Sequence, residues 1–265
     1  MPTLLRPAAL HERRTPSLGR VFPTIPYSGL LAAWGACYLA GRCSLDDAIS
    51  GIAPDEQILH RVVDSAGDPE SWALTLGQLR SSGAMRLRLV LPASGDFTGL
   101  PGPPPFNSVA LHIGECALSD GNPPWGFIPG SVSEGFVAWS QTVVTQRPLA
   151  ILTLGQETRA FAEAVAEGSA ALEALDVARG RELTDPVIAH ADRELSLLRL
   201  PPTLPPRAVS MIGTATRLRA ALRVARGTEG AALTAAEVSA RALTLAPLDR
   251  AVRRALEAGY SAQPD

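Results

Sequence analysis

The chain has 265 residues, a length that fits one compact domain with an added layer or two domains of about 120 residues each. Hydrophobic residues make up 46% of the chain and charged residues 19%, so it can bury a core, and the net charge of −2 argues against a general polyanion-binding protein. All 24 basic residues are arginine. The absence of lysine excludes P-loop proteins, protein kinases and pyridoxal enzymes, because each needs a lysine amine.

The N-terminal residues 1–27 contain five prolines and no hydrophobic period, so we expect an irregular arm. Ser28 is predicted to cap a helix that runs to about Gly41. Its apolar stretch of 13 residues is too short to span a bilayer and lacks the flanks of a secretory signal, so we expect a cytoplasmic protein without membrane contact. Ser44 and Asp47 form a capping pattern that predicts a second, short helix.

The three cysteines, Cys37, Cys43 and Cys116, cannot all pair within the chain, and no CxxC motif occurs. This pattern indicates neither a structural zinc site nor a redox pair, and free buried thiols in a reducing cytosol are the simplest interpretation. We predict no metal and no cofactor, since no dinucleotide-binding glycine motif follows a strand. The nucleophile motif of serine hydrolases is absent as well.

A helix and a strand are predicted in succession between residues 68 and 91. Asp68 and Pro69 resemble an N-cap and a first-turn proline, and Gly83 is typical of a left-handed C-cap. Residues 85–91 then alternate as in a strand. The apolar face of the predicted helix comprises Trp72, Leu76 and Leu79.

Further short elements are predicted before residue 148. Asn107 is expected to cap a short helix through about Ile113, which Gly114 ends. The strands are placed at 57–63, 115–118, 126–128 and 136–145. Together these elements predict an α+β domain over residues 28–148, with a small mixed sheet flanked by helices.

The pattern over residues 152–262 is helical and predicts a C-terminal helical layer or domain. Thr153 and Gln156 form a capping box that opens its first helix. The next two helices carry the apolar periods around 188–198 and 211–225. Thr234 with Glu237 is predicted to cap a fourth helix, separate from a fifth that carries Leu248, Val252 and Leu256.

The run from Arg86 to Asn107 combines a strand, a proline and two glycine-containing turns. This run and the ending from Pro247 to Tyr260 resemble an actinobacterial family of hypothetical proteins, over most of the chain after residue 28. Because that family has no assigned activity, the resemblance implies no functional residue. It implies a cytosolic protein from a GC-rich bacterium.

The loop from Ser94 to Asn107 is the main candidate ligand site, because ligands of open α/β sheets lie beyond the carboxyl ends of strands. Its candidate residues are Ser94, Gly95, Asp96, Gly99 and Asn107. The alternative is a purely structural loop, in which Gly95 takes a positive φ and the Asp96 carboxylate accepts backbone N–H bonds. In that case Gly95→Val is costly, whereas Asp96→Asn is mild because the amide oxygen remains an acceptor.

His112, Glu115 and Cys116 form a second cluster. If the helix continued through Gly114, His112 and Cys116 would lie one turn apart and could share a metal or act as a Cys–His pair. Two ligands are too few for a structural zinc, and Gly114 ends the predicted helix. A buried thiol beside an ordinary histidine is therefore the favoured interpretation.

Arg219, Arg223 and Arg226 fall on one face of a predicted helix, in a row that phosphate contacts require. No aromatic residues interleave with them for base stacking, and residues 151–265 balance 14 acidic residues with 14 arginines. An upstream helix is acidic through Glu157, Glu163, Glu167, Glu173 and Asp176. A charge match between these helices, within or between subunits, competes with phosphate contact, and we do not expect nucleic acid as a partner.

These observations lead to two hypotheses of function. The first is a non-enzymatic cytosolic interaction or regulatory protein that binds a protein partner, or a second copy of itself, through a helical surface. The alternative is a small-molecule enzyme or binding protein that uses the loop from Ser94 to Asn107, with Asp96 as acid–base group or polar anchor.

Overall fold

The computed structural model of the chain describes residues 24–63, 68–130, 135–145, 153–174, 181–227 and 235–263. Its helices there are α1 (Tyr27–Leu39), α2 (Leu45–Ile52), α3 (Trp72–Ser81), α4 (Pro104–Ile113), α5 (Leu154–Ala174), α6 (Arg181–Leu197), α7 (Pro206–Gly227) and α8 (Ala235–Tyr260). The strands are β1 (Leu59–Val63), β2 (Pro69–Glu70), β3 (Leu87–Val90), β4 (Cys116–Ser119), β5 (Trp125–Pro129) and β6 (Phe136–Val143). Most of the predicted N-terminal arm, residues 1–23, lies outside the described residues.

The strands form one mixed sheet in the order β2-β1-β6-β5-β4-β3. In the described part of the chain, β1 and β6 run parallel and the other neighbouring strands run antiparallel. Helices flank this sheet, and the four helices α5 to α8 follow it in sequence. The α+β class predicted from the sequence is therefore confirmed.

Alternation along β6 separates the two faces of the sheet. Val137 and Trp139 point into the main core, together with Phe127 of β5. The ring centroid of Trp72 in α3 lies 5.1 Å from that of Trp139, so α3 covers this face. The opposite face packs against α4 through a smaller cluster around Phe106.

Two helices begin with the capping boxes that the sequence predicts. At α2, Ser44 Oγ accepts a hydrogen bond from Asp47 N at 3.0 Å, and Asp47 Oδ2 accepts one from Ser44 N at 3.3 Å. At α5, Thr153 and Gln156 form the same reciprocal pair. Such caps satisfy backbone donors that have no partner in the first helical turn, so the sequence defines these helix starts locally.

The start of α3 differs from the prediction. Ser71 caps this helix, because its Oγ accepts a hydrogen bond from Leu74 N at 3.3 Å. Asp68 is therefore not the cap, and Pro69 lies in β2 before the helix begins. Gly83 adopts a φ of +72° after the helix, as predicted.

The starts of α1 and α4 also differ from the prediction. The first residue of α1 is Tyr27, so Ser28 lies inside the first turn instead of capping it. Helix α4 begins at Pro104 and contains Asn107 in its second turn. Proline suits a first helical position because its missing N–H would have no partner there, so α4 starts without a side-chain cap.

A single helix, α8, replaces the fourth and fifth helices that the sequence predicts. Pro247 lies inside α8 and removes one backbone donor without ending the helix. Leu245 and Leu248 on either side of it are buried in the main core, and this packing stabilises the helix across the proline. The predicted cap at Thr234 lies outside the described residues.

The helical layer and the sheet share the main core. Tyr260 of α8 belongs to the same cluster of buried residues as Leu31 of α1 and Leu89 of β3. A Cβ atom on Gly29 would lie 2.9 Å from the ring of Tyr260, so glycine allows α8 to approach α1 closely.

The division of the chain into units at 28–148 and 152–262 remains a prediction. Within the described ranges, no helix combines the length and the apolar character needed to cross a bilayer.

The outer edge of β3 is covered by α8 rather than by another strand. Leu89 N donates a hydrogen bond to Ser261 Oγ at 3.0 Å, just beyond the end of α8. Leu91 N, directly after β3, donates to Glu257 Oε1 at 2.6 Å, and Arg253 Nη1 donates to Leu91 O at 2.8 Å. These side chains satisfy backbone groups that would otherwise be open for pairing with another chain.

Candidate functional site

The loop singled out by the sequence begins with a tight turn after β3. Asp96 N donates a hydrogen bond to Ala93 O at 2.9 Å, and Ala93 N donates to Asp96 O at 3.2 Å. Gly95 adopts a φ of +80°, as predicted, and Ser94 is exposed at the tip. The turn therefore needs glycine for its backbone geometry.

Asp96 connects this loop to α8. Its Oδ1 accepts a hydrogen bond from Thr98 N at 3.3 Å, which confirms the predicted backbone bond. Its Oδ2 accepts from Arg253 Nη2 at 2.8 Å, a contact that no sequence pattern indicates. Burial by itself raises the pKa of the Asp96 carboxyl, but the bonds from Arg253 and Thr98 outweigh it and lower the pKa to about 2. Asp96 is thus an ionised anchor between loop and helix.

Two further candidates of the loop also have partners inside the protein. Gly99 O accepts a hydrogen bond from Arg88 Nη2 at 3.1 Å. Asn107 Oδ1 accepts one from Gly102 N at 2.9 Å. The described bonds of Asp96, Gly99 and Asn107 therefore fasten the loop to α8, β3 and α4.

The end of α4 separates His112 from Glu115 and Cys116, the cluster that the sequence brings together. Gly114 has a φ of +86° and ends α4, as predicted, so His112 and Cys116 do not share a helix. Cys116 is buried in β4, and burial raises the pKa of its thiol. Among the described residues, no group of three metal-ligating side chains occurs.

Glu115 is a buried carboxylate beside the start of α1. Its Oε2 accepts a hydrogen bond from Ser28 N at 2.7 Å. Burial raises the pKa of Glu115, and the bond from Ser28 and the charges of Arg219 and Arg223 oppose this rise. Two arginines that the sequence places in a phosphate-contacting row thus lie within electrostatic reach of a buried acid. The side chain of Arg226 lies outside the described residues.

A groove of ≈ 490 Å³ lies between β2, the end of α3, the β4–β5 connection and β6. Its polar and aromatic lining consists of Glu70, Gln78, Ser81, Ser82, Trp125 and Gln141. Gln141 follows Val137 and Trp139 on the core-facing side of β6, so the inward alternation of this strand ends on a polar side chain. The topology therefore places an amide where a buried apolar residue is the rule.

Two acceptor atoms of this groove have no hydrogen-bond partner within the described part of the chain. Gln141 Oε1 and Glu70 Oε2 are both shielded from solvent, and Gln141 as a whole is 7% exposed. The other carboxylate oxygen of Glu70 accepts a long bond of 3.5 Å from Gln78 Nε2. Because buried polar atoms almost always have hydrogen-bond partners, these two acceptors can take donors from another molecule in the groove.

A second groove, of ≈ 620 Å³, adjoins the first. Both are lined by Trp125 and Gln141, and the second adds Val63, Ala138, Ser140, Thr142 and Val143. Ala138, Ser140 and Thr142 alternate to the face of β6 opposite Gln141, so the second groove lies largely on the other side of the sheet. Trp125 is half-buried.

No motif in the sequence marks this groove, and its residues come from four separate segments. The one local signal is Gln141, a polar residue at an inward position of a predicted strand. The position of Glu70 near it depends on the pairing of β2 with β1 and of β1 with β6, in which Glu70 and Trp139 are both paired with Val62. Such a long-range arrangement is not readable from periodicity alone.

Two family models match the chain. Residues 28–151 match the model described as Rv1486c-like protein, N-terminal domain, and residues 155–257 match that described as Rv1486c-like protein, C-terminal domain. The chain belongs to the Rv1486c-like family. This membership agrees with the resemblance carried by the run from Arg86 to Asn107, and it brings no assigned activity. No curated protein and no solved structure matches the chain.

Proposed function

We propose that this protein binds a small polar molecule in the groove lined by Glu70, Trp125 and Gln141. The observation that carries the proposal is the pair of shielded acceptors, Gln141 Oε1 and Glu70 Oε2, which have no partner in the described part of the chain. An unpartnered buried polar atom costs about 1–3 kcal/mol, and a ligand that donates to both atoms removes this cost. The volume of ≈ 490 Å³ lies in the usual range for small-molecule sites, roughly 300–1,000 Å³.

The loop from Ser94 to Asn107 supports a ligand less well than the groove does. Asp96, Gly99 and Asn107 each have a hydrogen-bond partner inside the protein, so a ligand would have to compete with those bonds. Ser94 is exposed at the tip of its turn. For this reason the small-molecule hypothesis is centred on the groove.

A thermal-shift screen of a metabolite library against three proteins tests this proposal. Gln141→Leu removes the shielded acceptor at nearly constant volume, whereas Ser94→Ala alters the tip of the loop. We expect at least one compound that stabilises wild type and Ser94→Ala equally and loses most of its effect on Gln141→Leu. The proposal fails if no compound depends on Gln141, or if the binding compounds depend on Ser94 instead.

Exposed leucines on the helical layer favour a second candidate function, contact with another protein or with a second copy of this chain. Leu197 of α6 is 79% exposed and Leu243 of α8 is 76% exposed. The free thiols of Cys37, Cys43 and Cys116 suit a reducing compartment, so we propose a cytosolic location for either function.

Light scattering at micromolar concentration tests the interaction hypothesis. We expect wild type to form a complex, with itself or with a stoichiometric partner from its own lysate, and Leu197→Glu or Leu243→Glu to weaken it. A monomeric wild type without such a partner would contradict the hypothesis.

A further inference from the structure

We propose that the ligand of the groove is an organic cation with several N–H donors, such as an alkylammonium or a guanidinium compound. This inference rests on the proposed binding function and names the chemical class that the lining selects. It is carried by the balance of donors and acceptors, by the sign of the charge and by the aromatic wall.

The lining offers several hydrogen-bond acceptors. Ser81 Oγ donates its proton to Gly77 O at 3.0 Å, and Ser82 Oγ donates to Leu79 O at 2.8 Å. Because each hydroxyl has a single proton, both serines can offer only lone pairs to a ligand. With the shielded oxygens of the glutamate and the glutamine, the groove presents several acceptors that require donors from the ligand.

The charge of the groove is negative. Glu70 is the carboxylate of the lining, and none of the described lining residues is an arginine or a histidine. Arg80, which precedes Ser81 in α3, is turned elsewhere, since its guanidinium carbon lies 3.9 Å from the ring centroid of Tyr38. In the described part of the chain, no cation pairs with Glu70, so the charge is available to a ligand.

Trp125 adds a surface that suits the same class of ligand. Trp125 lines the groove together with Glu70. The face of an indole attracts ammonium and guanidinium groups, and indole is the most favourable side chain for this interaction. An anion would be repelled by Glu70, and a ligand without N–H or O–H donors would leave the shielded oxygens unpartnered.

Isothermal titration calorimetry at low ionic strength tests the charge and the donor requirement. The cationic probes are agmatine, spermidine and arginine amide, and glutarate and pentanediol serve as the anionic and the neutral probe. Glu70→Gln removes the charge with little change in shape, and Trp125→Leu removes the aromatic face. Glu56→Gln is the matched control, because Glu56 is exposed and lies outside the groove.

We expect at least one cation to bind wild type and Glu56→Gln with the same Kd. Glu70→Gln should weaken its binding by about tenfold or more, since the loss of a charge-assisted bond is worth roughly 1.4 kcal/mol or more. Trp125→Leu should weaken it several-fold. Thermal melts of each variant verify folding, and Trp125→Leu decides the result if Glu70→Gln does not fold.

The inference is overturned if no cation binds at millimolar concentration, or if Glu70→Gln binds the cation as tightly as wild type does. Preference for glutarate or pentanediol also overturns it. In each case a library compound that still depends on Gln141 leaves the proposed binding function intact, so the two failures are distinguishable.

Discussion

The amide of Leu91 donates a 2.6 Å hydrogen bond to the carboxylate of Glu257, although the two residues lie 166 positions apart in the chain. The neighbouring bond from Leu89 N to Ser261 Oγ likewise joins a backbone amide to a side chain far along the chain. β3 is an edge strand of the sheet. Side chains of α8 and of Ser261 directly after it therefore occupy the hydrogen-bonding positions that a further strand would use. The same bonds that close the sheet also fix α8 against it.

We predict that Ser261→Ala destabilises the protein by about 1 kcal/mol, because Leu89 N then loses its acceptor. Urea denaturation measures the free energy of unfolding, and hydrogen exchange should show faster exchange at the Leu89 amide. Ser196→Ala is the control, since Ser196 is exposed and its Oγ donates to Arg193 O in its own helix. Equal stability of Ser261→Ala and wild type would contradict the edge-capping role.

Glu257 makes the stability of the protein depend on pH. Burial raises the pKa of its carboxyl from 4.5 to about 7, against the bond from Leu91 and the charges of Arg88 and Arg253. The folded chain therefore binds a proton more readily than the unfolded chain between these two values. The free energy of unfolding should fall as pH rises through this window, by no more than about 3 kcal/mol.

Glu257→Gln should remove this contribution while its amide oxygen still accepts from Leu91 N. We expect the variant to gain stability relative to wild type between about pH 5 and about pH 8. Urea denaturation of both proteins at the two pH values measures the change. If the free energies of unfolding of the two proteins differ by the same amount at both pH values, Glu257 does not titrate in this range.

Asp96→Asn should cost about 2 kcal/mol near neutral pH, because it removes the charge that pairs with Arg253. The pKa of Asp96 is lowered from 3.8 to about 2, so the stabilisation is present above the higher value and is lost as pH falls toward the lower one. Urea denaturation of wild type and variant should show converging stabilities over that interval. Glu56→Gln, an exposed control, should show no such convergence.

The same residue shows what the sequence can predict and what it cannot. The dipeptide Gly95-Asp96 indicates a turn with a positive φ and a local carboxylate bond, and both are present because they depend on residues within the loop. The mild effect expected for Asp96→Asn ignores Arg253, which lies 157 positions further along. Local chemistry is readable from sequence, whereas a partner on a distant helix requires the tertiary structure.

The same contrast between local signals and distant contacts explains which helices and strands could be predicted. Capping boxes and period-two patterns predict α2, α5, β3 and β6, because the information lies within a few residues. Proline at position 247 indicates a break by the same local logic, yet buried neighbours keep α8 continuous. The groove residues escape prediction since they meet only after the strands have paired.

Gly95→Val should destabilise the protein by about 1–2 kcal/mol or more, because a β-branched residue is strained at a φ of +80°. No heavy atom lies within 4 Å of a Cβ built at Gly95, so the cost is conformational rather than steric crowding. Gly95→Asn should cost clearly less, since asparagine tolerates this region. Thermal denaturation of the two variants measures the difference, and equal stabilities would refute the explanation.

Gln141→Leu should stabilise the ligand-free protein by about 1 kcal/mol, because leucine fills the site without an unpartnered buried acceptor. The same substitution should abolish ligand binding. Stability and function therefore change in opposite directions, a combination typical of a binding site. Thermal denaturation of ligand-free wild type and variant checks the sign, and a clear loss of stability would indicate that Gln141 has a structural role.

The closure of β3 by α8 also sets an order of events on the ribosome. Leu89 is synthesised 172 residues before Ser261, so its amide lacks its final acceptor while all of the intervening chain is made. An uncovered strand edge is a template for pairing between nascent or newly released chains. The yield of native protein in a cell therefore depends on how soon α8 docks, and added chaperones should reduce inclusion bodies more than stabilising the sheet itself.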